Sequence, residues 1–386
     1  MSYRAVDLKD SPCGRVEQTV EGQPAFVPDP LPREVALSSS TVFLLDKATR
    51  AVGTLAGVAE TLANPHLLIR PFIRREAVLS SKIEGTQASL SDLFMFEASR
   101  ERLERGDVRE VTNYVRALEY GIILLERLPL STRFVNEIHE HLLTGVRCED
   151  KMPGQLRPWP VWIGNAGTPI EDSRYIPPPA IHIPNLLADW ESFVNEDLEM
   201  PPLVQCALMH YQFEAIHPYM DGNGRIGRLL ITLFLCAKGV LPKSLLYLSA
   251  YFEKNRDVYY DQLFRVSLTG EFEPWIRFFL QGAEEQASDA LARSRRVRDL
   301  QERYKEALQQ ERASANALRL LDHLFVNPYV TAPIAQTVLD LTYAGARGVL
   351  QRLEDADILS ALDLTWPKMY VAREILKAIE APVDPS

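Results

Sequence analysis

HPYMDGNGRIGR, residues 217–228, runs directly into LLITLFLCAKG, residues 229–239. The apolar run predicts a helix from about Gly224 to Lys238, closed by Gly239 as its C-cap. Gly222, Asn223 and Gly224 then form a turn whose backbone can come close to a ligand, because glycine has no Cβ. Free backbone N–H groups and the positive end of the helix dipole face that turn, which makes it an anion cradle. Arg225 and Arg228 lie three apart on the first helical turn, and a forked guanidinium suits phosphate. The ligand these features imply carries several phosphates. Asp221 sits at the mouth of the cradle, where a carboxylate among phosphates needs a cation between them, Mg²⁺ being the natural one. His217 titrates near neutral pH and can accept a proton from an incoming hydroxyl. Base, metal carboxylate, anion cradle and two arginines are the parts of a phosphoryl or nucleotidyl transferase.

The rest of the chain fits a protein with a large core. It has 386 residues, enough for two or three domains, with 46% hydrophobic and 24% charged residues. A formal net charge of −10 argues against a strong sequence-independent grip on nucleic acid. The cysteines, Cys13, Cys148, Cys206 and Cys236, form no CxxC pair, so zinc spacing is absent. The start of the chain is polar without an apolar signal core, and the apolar run Leu229 to Ala237 is too short to span a bilayer. These features suggest a reducing, cytoplasmic protein with no membrane partner.

Apolar spacings of three and four predict helices over 41–62, 70–83, 107–127, 132–143, 185–195, 202–213, 259–268 and 275–312. Residues 152–184 are rich in Pro and Gly and predict a loop with a short hairpin around residues 164–167. From about residue 313 the order is helix, helix, helix, hairpin, as in a winged helix-turn-helix module. Its recognition-helix segment offers Arg347 and Arg352 against Glu354, Asp355 and Asp357, a poor footprint for DNA. DNA therefore stays open as a partner, beside protein docking or a homodimer.

The motif resembles the signature of the Fic family, His-Pro-Phe-x-Asp/Glu-Gly-Asn-Gly-Arg-x-x-Arg, with Tyr219 in place of Phe. That ring can be kept if its hydroxyl finds a partner. The resemblance extends over about residues 35–290. It implies a mostly α fold: a Fic-type helical core with a small β-hairpin flap, to which this chain adds the C-terminal winged helix-turn-helix domain. The expected layout is an extended arm over 1–35, a helical region with an inhibitory helix over 36–110, the catalytic core over 111–290, a connecting helix over 291–312 and the winged-helix-like domain over 313–386. The activity implied is transfer of AMP from ATP to a Ser, Thr or Tyr hydroxyl of a target protein, and of the enzyme itself. His217 would be the base and Asp221 the Mg²⁺ ligand. The amides of Gly222, Asn223 and Gly224, with Arg225, would hold phosphates, and Arg228 the γ-phosphate.

Beside that motif, SSKIEGT (residues 80–86) resembles the family's inhibitory signature through Ser80, Glu84 and Gly85. The resemblance implies a salt bridge from Glu84 to Arg228 that competes with the γ-phosphate. Val161, Trp162, Ile163 and Gly164 resemble the family's target-binding flap, where a target backbone adds as a strand. Tyr259 and Tyr260 match the position of aromatics near the adenine; a Tyr packed in the core is the alternative for each. Gly154 and Arg157 fit the loop before the flap. His139, His141 and His210 show no ligand spacing and are expected to be structural. The alternatives are a Fic-type enzyme that transfers another group or removes AMP, and a nucleotide-sensing winged-helix transcription regulator.

Overall fold

The computed structural model describes residues 4–19, 22–61, 66–99, 106–146, 149–164, 169–362 and 368–382. The chain opens with a 3-10 turn and an antiparallel hairpin, β1 (Gly14–Gln18) and β2 (Pro24–Pro28), where an extended arm was expected. The PAFVP stretch pairs because its apolar side chains have a core to enter. Phe26 is fully buried and meets Tyr175 edge-on, and its N–H donates to Ile176 O at 2.9 Å.

Five helices follow: α1 (Ser39–Thr61), α2 (His66–Ile83), α3 (Leu90–Ala98), α4 (Gly106–Leu124) and α5 (Thr132–Leu143). Ser89 caps α3 by accepting from Asp92 N–H at 3.0 Å, and Ser131 caps α5 by accepting from Phe134 N–H at 3.2 Å. After the irregular stretch come α6 (Ile183–Asn195), α7 (Pro202–Ile216), α8 (Asn223–Ala237), α9 (Ser249–Lys254), α10 (Arg256–Thr269) and the 39-residue α11 (Phe272–Gln310).

The antiparallel pair α7 and α8 forms the centre. Both are buried nearly all round, polar side chains included, so each is enclosed on almost every side. Trp190 of α6 and Trp275 of α11 close on α7, their indole N–H groups donating to Met209 O at 3.1 Å and Ala207 O at 2.8 Å. Truncating either ring to Ala would cost about 3–5 kcal/mol.

Beyond α11 the order is α12 (Ala315–Val326), β3 (Tyr329–Thr331), α13 (Ala332–Leu339), α14 (Tyr343–Asp355), β4 (Ser360–Leu362), β5 (Met369–Val371) and α15 (Arg373–Glu380). The three strands form an antiparallel sheet in the order β3-β5-β4. This is the element order of a winged helix-turn-helix, with a short first strand that the sequence pattern hid inside the start of α13. The module is seated on the helical body. Buried Arg293 of α11 donates to Ile379 O and Ala381 O at 2.6 and 2.8 Å, and Asn327 Nδ2 to Phe94 O of α3 at 3.0 Å. Among the described residues no helix is long and apolar enough to cross a membrane.

Candidate active site

The site forms where α7 stops and α8 starts. His217 ends α7 in the left-handed region, φ 49° and ψ 62°, with its N–H on Phe213 O at 3.0 Å. That conformation costs a non-glycine residue about 1–3 kcal/mol and needs outside support. Buried Arg157 provides it. Its Nε donates to His217 O at 2.8 Å, its backbone N–H to Pro218 O at 2.9 Å and its Nη2 to Pro178 O at 2.6 Å. Burial among carbonyls pushes this guanidinium down to about 10. The His217 imidazole is also held neutral, pushed down to about 4 by burial, with Arg157 adding to the effect. Its Nδ1 faces Glu214 O at 3.4 Å, which assigns the proton to Nδ1 and the lone pair to Nε2.

The loop between the helices is braced from α5. The Tyr219 hydroxyl donates to Asn136 Oδ1 at 2.7 Å, the partner that tyrosine in place of phenylalanine requires. Its ring stacks on His139 with centroids 3.8 Å apart. His139 Nδ1 accepts from Gly154 N–H at 2.9 Å, so its Nε2–H donates to Asp221 O at 3.0 Å. Asn223 clamps Tyr219 from the other side, its Oδ1 accepting the N–H and its Nδ2 donating to the carbonyl, both at 2.8 Å. Gly222 takes φ 80° at the N-cap, a conformation open to glycine.

The α8 ladder begins with Ile226 N–H on Gly222 O at 2.9 Å, so the N–H groups of Asn223, Gly224 and Arg225 project from the helix end. Gly222 N–H instead meets Asp221 Oδ1. The open amides at the helix end are therefore those of residues 223–225, one residue on from the three named in the sequence reading.

Arg225 departs from it further. It is buried and bridges two carboxylates, with Nη2 on Asp221 Oδ1 at 3.0 Å and Nη1 on Glu110 Oε2 at 3.3 Å. It holds the Asp221 side chain where a phosphate contact was expected.

Arg228 is turned to α2. Nε donates to Ser80 Oγ at 2.9 Å, and Nη2 donates to Ser80 O at 3.0 Å and to Glu84 Oε1 at 2.6 Å. Gly85, at φ 94°, makes the turn after Glu84. Burial alone would raise the Glu84 carboxyl, but the Arg228 charge and bond outweigh it and the net shift is downward. For Arg228 burial opposes the charge, and Glu84 outweighs burial to give a net rise. The Glu84 carboxylate lies over the end of α8: a Cβ built on Gly224 would collide with its Oε1.

Tyr259 and Tyr260 separate. Tyr259 is fully buried, with its hydroxyl at 2.8 Å from His210 Nε2 and its ring stacked on Phe252. The expectation that it binds nucleotide is corrected: it belongs to the core behind the site. Tyr260 stays partly open on the same helix. His210 also contacts Gly227 O through Nδ1 at 3.0 Å, and His141 lies against the Tyr120 ring.

In the flap, Ile163 and Tyr175 form a single antiparallel bridge, with N–H to O distances of 2.8 and 3.2 Å. Residues 165–167 of the expected hairpin lie outside the described residues. Val161, Trp162 and Gly164 flank the bridge, and Trp162 is exposed. The Tyr175 hydroxyl donates to Ala215 O at 2.9 Å, tying the flap base to α7 two residues before His217. The sequence reading missed Asn136, Glu110, Glu214 and Tyr175. Asn136 and His139, three apart on α5, were the one local signal of a polar face turned toward the motif.

Residues 42–123 match the Fic/DOC family N-terminal model and residues 129–235 the Fic/DOC family model. Protein adenylyltransferase fic-1 of Caenorhabditis briggsae is 25% identical over 183 residues, 47% of this chain and 32% of that protein. Protein adenylyltransferase Fic of Culex quinquefasciatus is 30% identical over 150 residues, 38% of this chain and 26% of that protein. The chain spans well under half the length of the curated relatives it matches. A solved Fic family protein from Desulfovibrio desulfuricans G20 superposes over 88% of this chain and 97% of its own, with a TM-score of 0.57 at 20% identity, a likeness of fold. The chain thus carries, in order, a Fic/DOC N-terminal region and a Fic/DOC domain, with the motif near the end of the second.

Proposed function

We propose that the protein is an ATP- and Mg²⁺-dependent protein adenylyltransferase, held back by its own Glu84. The observation that carries the reading is the placing of a neutral His217 imidazole beside the open amides of α8, with Glu84 on Arg228 across that helix end. The names of the relatives supply the reaction class.

In this reading the amides of Asn223, Gly224 and Arg225 hold the α- and β-phosphates, and Arg228 takes the γ-phosphate when Glu84 leaves. Nε2 of His217 accepts the proton of a Ser, Thr or Tyr hydroxyl. The freed oxygen bonds to the α-phosphorus in line with the departing bridge oxygen, and pyrophosphate leaves. The proton then passes from His217 to solvent. Asp221 is the carboxylate beside the cradle, and among the described residues no three His, Cys, Asp or Glu side chains cluster as a metal cage. One carboxylate plus phosphate oxygens is the donor set that Mg²⁺ favours, so the residues present fit it. When bound, the ion would neutralise charge on the phosphate oxygens. Arg225, fixed by Glu110, orients the Asp221 carboxylate for that task.

Val161, Trp162, Ile163 and Gly164 are proposed to pair with the target's backbone, and Tyr260 to lie along the adenine. The winged module is proposed to dock protein: on α14, Arg352 already donates to Glu311 O at 2.7 Å, and exposed Arg347 is outnumbered by exposed Asp355 and Asp357 at the end of the helix. The test is α-labelled ATP with the Glu84→Gly protein, with and without His217→Ala, read by gel and intact mass. Label that requires His217 is expected; label that survives its loss overturns the reading.

A further inference from the structure

Glu214 is a half-buried acid without a task in the reaction above. It lies one turn before His217 on α7. Its Oε1 is buried and has no hydrogen-bond partner among the described residues, an uncommon and costly arrangement. A Cβ built on Gly227 would collide with that same atom, so Gly227 is the gap that admits it. Gly224 is the corresponding gap for Glu84 Oε1. Both glycines have helical φ, so space rather than backbone conformation explains them. The first turns of α8 thus receive two carboxylates, Glu84 from the turn after α2 and Glu214 from α7; Arg228 is bonded to the first and its charge acts on the second.

We propose that Glu214 is a positioning residue for Arg228: the carboxylate that takes the guanidinium once Glu84 has left it. This rests on the reading that Glu84 restrains the site. Glu214 does not repeat the obstruction, because it approaches at Gly227, behind the helix end, whereas Glu84 lies over Gly224 in front of the cradle. Arg228, with five N–H donors, can hold Glu214 behind and a phosphate ahead.

The charge balance agrees. Burial pushes the Glu214 carboxyl up to about 7; Arg228 opposes the rise and Glu84 adds to it. The other titratable groups on this side are His210 and His217 of α7, both held neutral by burial, and the Tyr259 and Tyr260 hydroxyls of α10, both raised by burial. When Glu84 leaves, its repulsion ends while the attraction of Arg228 remains, so Glu214 releases its proton. The restrained form therefore binds the proton more tightly and is favoured as pH falls. Below about 7 the released form gains up to about tenfold per pH unit, and above it the balance is flat.

Two measurements test this. In the first, the wild-type rate is divided by the Glu84→Gly rate from pH 5.5 to 8.5, which cancels the titration of His217. The ratio is expected to climb below neutral pH and level off above it. It is expected to be flat when the same pair carries Glu214→Gln, or Gly227→Ala, whose Cβ displaces the carboxyl. A climb that persists in both backgrounds overturns the proposal.

The second uses ¹³C-carboxyl-labelled glutamate, with the resonance assigned by Glu214→Gln. It is expected to titrate near neutral pH in wild type and at least about one unit lower in Glu84→Gly. Equal titration overturns the proposal whatever the activity does. The expected shift without any rise in transfer activity supports the Glu214–Arg228 partnership and overturns the restraint reading instead.

Discussion

Glu84→Gly removes one of the three bonds that hold Arg228 to α2, the 2.6 Å contact from Nη2, and leaves the two to Ser80. A hydrogen bond between charged groups contributes about 1.5–3 kcal/mol. The Arg228 side chain is 1% exposed but that of Glu84 is 36% exposed, so screening brings the contribution toward about 1–2 kcal/mol. At 1.4 kcal/mol per factor of ten, the balance of restrained and released forms moves by about 5–30-fold. The substitution also clears the space over Gly224. Residue 84 follows the last residue of α2, so glycine there costs little helix propensity. The assay is the initial rate of AMP incorporation from α-labelled ATP at matched sub-saturating ATP, beside the Kd for a non-hydrolysable analogue. A rate increase in the estimated range and tighter binding are expected, with Glu84→Gln in between because an amide keeps a hydrogen bond without the charge. Rates and affinities that superimpose on wild type would refute the reasoning, since Arg228 would then not be what limits the site.

Gly224→Ala should displace the Glu84 carboxylate and yet fail to activate, because the same methyl group fills the cradle; ATP analogue binding measured by calorimetry checks this. Tyr219→Phe deletes a 2.7 Å bond to Asn136 and should cost about 1 kcal/mol, a Tm fall of about 2–3 °C by calorimetry, with the loop geometry kept. Arg157→Lys loses the fork that holds His217 O and Pro178 O and should lower kcat about tenfold or more, with KM for ATP little changed in steady-state kinetics. His210 and His217 are pushed down to about 3 and about 4 from an ordinary 6.5, so the unfolded chain binds their protons more tightly. Their contribution is full above 6.5 and is lost as pH falls toward 4, by up to about 1.4 kcal/mol per pH unit for each. Urea unfolding at pH 7 and pH 5 should show this, with a smaller difference in His210→Gln.

The motif was legible because it concentrates residues that few structural needs would bring together, and its helix announced its own limits: the predicted Gly224 to Lys238 is observed as Asn223–Ala237. The need for a partner at Tyr219 could likewise be stated in advance, though not that Asn136 would supply it. What stayed hidden depends on direction or on distance along the chain. Tyr259 and Tyr260 are adjacent on one helix and so point about 100° apart, and nothing local says which of them meets His210. Arg225 looked like a phosphate ligand because its partner Glu110 lies 115 residues away, within a run that reads as an amphipathic helix. The hairpin β1–β2 was obscured by the prolines at both ends of β2, which mark extended chain without saying that a neighbour will pair with it.

The distribution of these contacts decides which part of the site can move. The loop from His217 to Gly222 is held on every side by groups that are themselves buried: Arg157 at His217 O, His139 at Asp221 O and Asn223 at both polar atoms of the Tyr219 backbone. Shifting it would strand several polar groups at about 1–3 kcal/mol each. Arg228 is as deeply set as these. Glu84 differs: its side chain is 36% exposed against 1% for its partner, and it stands in the turn after α2, where the helix ladder has ended. A carboxylate leaving that position can be hydrated at once, whereas Arg228 leaving would drag a charge through the core. On the proposed restraint, release is therefore a movement of Glu84 away from a helix end that is already braced. A nucleotide that binds the released form shifts that equilibrium without having to build the site it enters.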